Sequence, residues 1–145
     1  MTYFTGALEV GSHPSEDISA GKGKVVLSQS TTVSTVAGSH AAVSSSVSLP
    51  ANSQILAYYV DTVVAATGTI ANLTTTVGTA AGGAQYMTST DFITTTRGAV
   101  ALTVAQLAKM ANIGSDTDVF ITIDANAAAT TTQGTLRLTV VYTMA

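Results

Sequence analysis

The chain has 145 residues, enough for one domain with a real core, and only 13 are charged, for a formal net charge of -3. Five scattered cations exclude the broad basic surface that neutralises a nucleic-acid backbone, and the absence of cysteine excludes disulfides, thiolate catalysis and zinc-thiolate sites. No run approaches the ~18 apolar residues of a spanning helix, and the start MTYFTGALEVGSHPSED lacks the basic head and apolar stretch of a secretory leader.

Residues 1–22 contain Gly6, Gly11, Pro14 and Gly21 with little periodicity, which predicts an extended N-terminal arm ahead of a domain over 23–145. Lys24–Gln29 and Thr31–Val36 read as one long strand or two short ones. After a turn at Gly38-Ser39, Val43–Leu49 alternates cleanly, with Val43, Ser45, Val47 and Leu49 on one face and serines opposite; Pro50 ends it. Gln54–Val64 is apolar on both sides, with Leu56, Tyr58, Val60 and Val64 set against Ile55, Ala57, Tyr59, Asp61 and Val63, as a central strand would be. In Ile70–Val77 the inward set is Ala71, Leu73, Thr75 and Val77. The run Gly78–Gly83 is a small-residue loop, and Tyr86-Met87 and Asp91–Thr96 are short strand or loop segments.

A helix is predicted over about 104–111. Thr103 and Gln106 have capping-box spacing, Val104, Leu107, Ala108 and Ala111 form an apolar stripe, and Asn112 and Gly114 offer a left-handed stop. The strongest strand signal is last. Val119, Ile121 and Ile123 alternate with Phe120, Thr122 and Asp124, and Leu136, Leu138, Val140 and Tyr142 alternate with Arg137, Thr139, Val141 and Thr143, which reads as a β-hairpin from Asp118 to Thr143. Its outer residues Phe120 and Val141 are too apolar for a bare surface and call for a cover. Roughly eight strands and one short helix predict an all-β fold: a jelly-roll-like antiparallel sandwich, or next an immunoglobulin-like one.

No catalytic, metal or cofactor site is predicted. His13 and His40 stand apart in the sequence, and Ser39 beside His40 is adjacency, not a triad. Asp116 and Asp118 in GSDTD offer alternate hard oxygens for calcium but lack the further acids of a full loop. Asp61, Asp91 and Asp124 could supply a carboxylate pair of the glycosidase type only if the fold gathers them. Tyr58, Tyr59, Tyr86 and Tyr142 fit either a carbohydrate platform or a core or subunit contact.

One further feature concerns edges. No Asp, Glu, Lys or Arg occurs between Lys24 and Asp61, or between Asp61 and Asp91. Soluble β proteins protect exposed strand edges with charge, so a chain this sparing of it is expected to have edges covered by neighbouring subunits.

At LPANSQI (49–55), LTTTVGTAAGGAQYM (73–87), LTVAQLAKMANIGSDTDVFITI (102–123) and GTLRLTVVYT (134–143), the sequence resembles small structural proteins of tailed-bacteriophage virions, such as capsid decoration, cement or head-fibre-base proteins. That resemblance implies a non-enzymatic protein on the capsid exterior. Its partners would be the major capsid protein or neighbouring virion subunits, and it would form a homo-oligomer (trimer or pentamer) without cofactor, nucleic acid or membrane. The alternatives are a carbohydrate- or receptor-binding fibre or adhesin module, which requires an exposed cluster of Tyr58, Tyr59 or Tyr86, and a tail-tube or connector component.

Overall fold

The computed structural model describes residues 25–68, 70–93, 97–98, 102–111, 113–127 and 133–144. Residues 1–22, read as an arm, lie outside the described residues. Among the described residues eight strands and one helix follow in order: β1 (Val26–Ser34), β2 (Val43–Leu49), β3 (Ser53–Val64), β4 (Ile70–Gly78), β5 (Met87–Asp91), β6 (Arg97–Gly98), α1 (Val104–Lys109), β7 (Thr117–Ala127) and β8 (Thr135–Met144).

The strands form two four-stranded antiparallel sheets, ordered β1-β8-β3-β6 and β2-β7-β4-β5. The first strand pairs with the eighth, the second with the seventh, the third with the sixth and the fourth with the fifth. Nested pairing of this kind is a long antiparallel ribbon doubled back at the β4–β5 loop. Rolling the ribbon sets β8 between β1 and β3, and β7 between β2 and β4. This connectivity is a jelly roll, as the spacing of strands and turns predicts.

The predicted hairpin does not exist. β7 and β8 lie in different sheets, each at the middle of its own. The residues expected to share one hairpin face instead meet from opposite sheets: Val119, Ile121 and Ile123 on one side, Leu136, Leu138, Val140 and Tyr142 on the other, all buried. Alternation in each run reports which way side chains point, not which strand lies alongside. Residues 128–134 joining them exceed the tight two-residue turn that would lock a hairpin.

Two further readings change at β-bulges. In β3 the register with β8 shifts between Ile55 and Ala57, so Ile55, Tyr58 and Val60 point inward while Leu56 is turned out and 48% exposed. A second shift between Thr62 and Val64 leaves Val63 and Val64 exposed on the same strand. In β4 a shift between Ile70 and Asn72 exposes Ala71, whereas Leu73, Thr75 and Val77 are buried as expected. The fifth strand runs between the two segments proposed for it, from Met87 to Asp91, with Tyr86 and Phe92 buried at its ends.

α1 has the predicted cap. The Thr103 hydroxyl accepts from the Gln106 N–H, and the Gln106 side chain accepts from the Thr103 N–H at 2.8 Å. Its buried side is not the predicted one. Gln106 is held inward by the capping box, and Met110, four residues on, is 2% exposed, so these two form the inward stripe. The Met110 carbonyl accepts from the Ile55 N–H at 2.9 Å, fixing the helix end to β3. Val104 and Leu107 therefore face outward, 84% and 51% exposed, with Ala108 and Ala111 exposed beside them. Met110 in right-handed conformation ends the helix, and among the described residues the glycines with positive φ are Gly38, Gly68 and Gly82, not Gly114. Asn112 lies outside the described residues.

Candidate functional site

A jelly roll has two long sides, where the outermost strands of its sheets run together, and here they differ in construction. One side is formed by β1 and β2. These are nine and seven residues long, and the segment 25–60 that contains both holds no Asp, Glu, Lys or Arg. Each has a strand neighbour on one flank only, β8 for β1 and β7 for β2. Beside these free backbone edges the outward faces carry Ser28, Ser30 and Thr32 on β1, all exposed, and Ser44, Ser46 and Ser48 on β2. Between the sheets this side is closed by a hydroxyl pair, Thr31 Oγ1 and Ser45 Oγ, 2.6 Å apart. None of the usual edge-blunting devices, such as Lys, Pro or a shortened strand, interrupts β1 or β2.

The opposite side is formed by β5 and β6, and it is short and fastened. Among the described residues β6 contributes Arg97 and Gly98. Arg97 Nε lies 3.1 Å from Asp61 Oδ1, and Arg137 Nη2 lies 3.2 Å from Asp61 Oδ2. The Arg97 guanidinium also sits 4.8 Å from the centre of the Tyr59 ring. On β5, Asp91 Oδ1 accepts from the N–H groups of Leu73 and Ile93, each at 3.0 Å. The Tyr58 hydroxyl crosses the interior to donate to the Tyr86 carbonyl at 2.8 Å, which ties β3 to the start of β5. Burial pushes the Tyr58 hydroxyl up to about 12 and raises that of Tyr86 as well.

The outer faces also differ in charge. Arg97 and Arg137 lie in the β1-β8-β3-β6 sheet with Asp61 between them, and Lys109 ends α1 beside β3. Asp91, Asp118 and Asp124 lie in the other sheet. The loop 79–85 approaches that second sheet, with the Gly82 N–H donating to Thr122 Oγ1 at 2.8 Å. Gly78 permits the approach, because a Cβ there would meet the Gly83 carbonyl carbon at 2.5 Å. Phe120 and Val141, expected to need a cover, are each half-buried.

The residues weighed as chemical sites are not assembled into one. Asp116 Oδ1 accepts from the Ala51 N–H at 2.8 Å and Asp118 Oδ1 accepts from the Ser48 hydroxyl, so both acids brace the β2–β3 turn against β7 in a shallow depression lined by Ser48–Pro50 and 116–118. Among the described residues no three of His, Cys, Asp or Glu gather as a metal site would require. Asp61 lies in one sheet; Asp91 and Asp124 flank Thr74 from either side in the other, where Asp91 Oδ1 is engaged by two backbone N–H groups. His40 is exposed in the β1–β2 connection, and His13 lies outside the described residues. The tyrosine platform is not formed: Tyr58 and Tyr86 are buried at 7% and 2% exposure, and Tyr142 is buried with its hydroxyl accepting from Gln29 Nε2 at 2.9 Å. Among the described residues no helix is long and apolar enough to cross a membrane.

Strand order, nested pairing and the two facing sheets place the protein in the class of antiparallel jelly-roll sandwiches. Within that class it is similar to a chain of the structure described as "Cyanophage Pam1 capsid asymmetric unit", with 19% sequence identity, a TM-score of 0.55, and coverage of 100% of both chains. No protein-family model matches the sequence, and no curated protein matches it.

Proposed function

We propose that this protein is a non-enzymatic structural subunit of a virion, which decorates or stabilises the capsid through subunit–subunit contacts made by its β1–β2 side. The observation that carries the reading is that side itself: two long strand edges without a single charged residue, in a sandwich whose other side is short and charged. Unpaired N–H and C=O groups along an uncharged strand favour another chain alongside, and a constant neighbour removes the need for protective lysines. The fold likeness over the full length of a chain from a cyanophage capsid structure supports the same reading, as does the sequence resemblance to small phage virion proteins.

In this reading the protein sits on the capsid exterior as a homo-oligomer, a trimer or pentamer, with the major capsid protein as its second partner. A subunit that binds only the assembled lattice stabilises it by mass action, provided the contact reaches the ~1,000 Å² or more of a specific interface. The test compares particles assembled with and without the chain. Reconstruction should place it on the outer surface at a symmetry axis or subunit joint, and its removal should lower the temperature at which particles release their contents. Particles of equal heat stability with no bound density would overturn the proposal.

A further inference from the structure

The outward side of α1 sets a separate question. A six-residue helix with Val104 at 84% and Leu107 at 51% exposure presents its apolar stripe to the surface, near the bulge that turns out Leu56. Helix and bulge are adjacent, because Ile55, the residue before Leu56, is bonded to Met110, the residue that caps α1. Val25, Val26 and Met144 are exposed at the same end of the sheet: Val26 pairs with Thr143, and Met144 pairs with Ser53, which in turn bridges Ile113.

We infer that this patch is the docking site of the chain's own N-terminal segment, with Tyr3, Phe4, Leu8 and Val10 seated against Val104, Leu107 and Leu56. Three observations converge on that occupant. The first is position. The 24 residues before Val25 join the domain at this end, where Val25 accepts a hydrogen bond from Thr143 Oγ1, and three strand spacings of ~4.8 Å separate β1 from the segment that follows α1. A segment of that length reaches up to ~80 Å when extended, so the patch is well within range. The second is composition. The apolar residues of the segment cluster at its far end, in YFTGALEV, while Gly21 and Gly23 lie next to the domain where a change of direction is needed.

The third is charge. Residues 1–17 contain Glu9, Glu16 and Asp17 and no Lys or Arg, the segment's two lysines, Lys22 and Lys24, lying next to the domain. Lys109 ends α1 at the patch, whereas Arg97 and Arg137 are paired with Asp61 further along β3, and Asp91, Asp118 and Asp124 occupy the other sheet. The acidic, apolar far part of the segment is therefore complemented by Lys109 on α1 and meets like charge on the opposite sheet. Attachment to the same chain gives it a high effective concentration there, which favours its own patch over that of a neighbour.

The absence of cysteine makes the test clean. In the full chain, Leu8→Cys with Val104→Cys should oxidise to an intramolecular disulfide, seen as a faster-migrating monomer that reverts on reduction. It should form at least about ten-fold faster than in Leu8→Cys with Ala80→Cys, a control on the loop beside the other sheet, because docking raises local concentration. Separately, Val104→Asp with Leu107→Asp should abolish amide-exchange protection over residues 3–10 and leave that of β7 and β8 unchanged. Equal oxidation rates in the two cysteine pairs, crosslinks only between chains, or no protection in the unmodified protein would each overturn the inference. None of these readouts involves a capsid, so the inference and the virion proposal fail separately.

Discussion

The two long sides of this sandwich solve the same problem in opposite ways. On the β5–β6 side the strands are short, and side chains do the fastening: Asp61 to Arg97 and Arg137, Asp91 to two backbone amides, Tyr58 to the Tyr86 carbonyl. On the β1–β2 side the strands are long, neither carries a charged residue, and the Thr31–Ser45 hydroxyl pair links the sheets. A sandwich that had to remain solitary would blunt both sides. Blunting only one teaches that the other has a use, and charge placement is the feature that separates the two.

The largest effect should come from making the sides alike. Ser28→Lys with Ser30→Lys puts two charges on the outward face of edge strand β1, as solitary β proteins do. Self-association measured by sedimentation should be lost, while the melting temperature changes little, since exposed substitutions of this kind stay within about 0.5 kcal/mol. The matching change Thr88→Lys on exposed β5 should leave association intact. If both variants behave like the parent, the uncharged side is not a contact surface.

The uncharged run from 25 to 60 was visible in the sequence, but not that its two strands would border one side. That depends on pairing, and pairing is where local reading stops. Alternation in β7 and β8 placed Val119, Ile121, Ile123, Leu136, Leu138, Val140 and Tyr142 inward correctly while giving the wrong partner, because inward residues of a hairpin and of two facing sheets carry the same pattern. Leu56 was misplaced for another reason. A bulge inserts one residue into the count and reverses the faces before it, and nothing in QILAYYV marks the position. On α1, the capping box was legible because it is local, whereas the buried face was decided by the Met110–Ile55 bond to a distant strand.

On the fastened side, Asp91→Ala should cost about 2 kcal/mol, since it strips an acceptor from two backbone amides at the end of an outermost strand. Asp91→Asn retains an oxygen in that position and should recover most of the loss, as read by denaturant midpoint. Tyr58→Phe is smaller, about 1 kcal/mol at neutral pH, for one buried hydrogen bond whose acceptor is left unpaired. Its effect has a distinctive pH dependence. The folded-state hydroxyl is raised to about 12 against an ordinary value of 10.0, so between those values the unfolded chain releases the proton first. The Tyr58 contribution is thus constant below pH 10 and is lost as pH rises towards 12, with a slope of up to ~1.4 kcal/mol per pH unit. Tyr58→Phe should flatten that alkaline decline; an unchanged slope would mean the hydroxyl is hydrated in the folded protein.

The smallest effect should come from the most conspicuous charges. Asp61 is paired with both arginines, but their side chains are 64% and 49% exposed, so solvent screens the attraction and Asp61→Asn should cost no more than about 1 kcal/mol. For a chain of this size that amounts to roughly 2–4 °C in melting temperature, and the difference should vanish in ~1 M salt, where the screening length is about 3 Å. The local consequence should be clearer than the global one. Among the described residues β6 is held to β3 by two registered pairs, Val60 with Gly98 and Asp61 with Arg97, so amide exchange at Arg97 and Gly98 should accelerate while β8 is unaffected. A global loss of several kcal/mol would mean that the ion pairs hold the sheet itself. The charged side would then be structural in the same sense as the core, and the uncharged side could not be read as the one kept free for a partner.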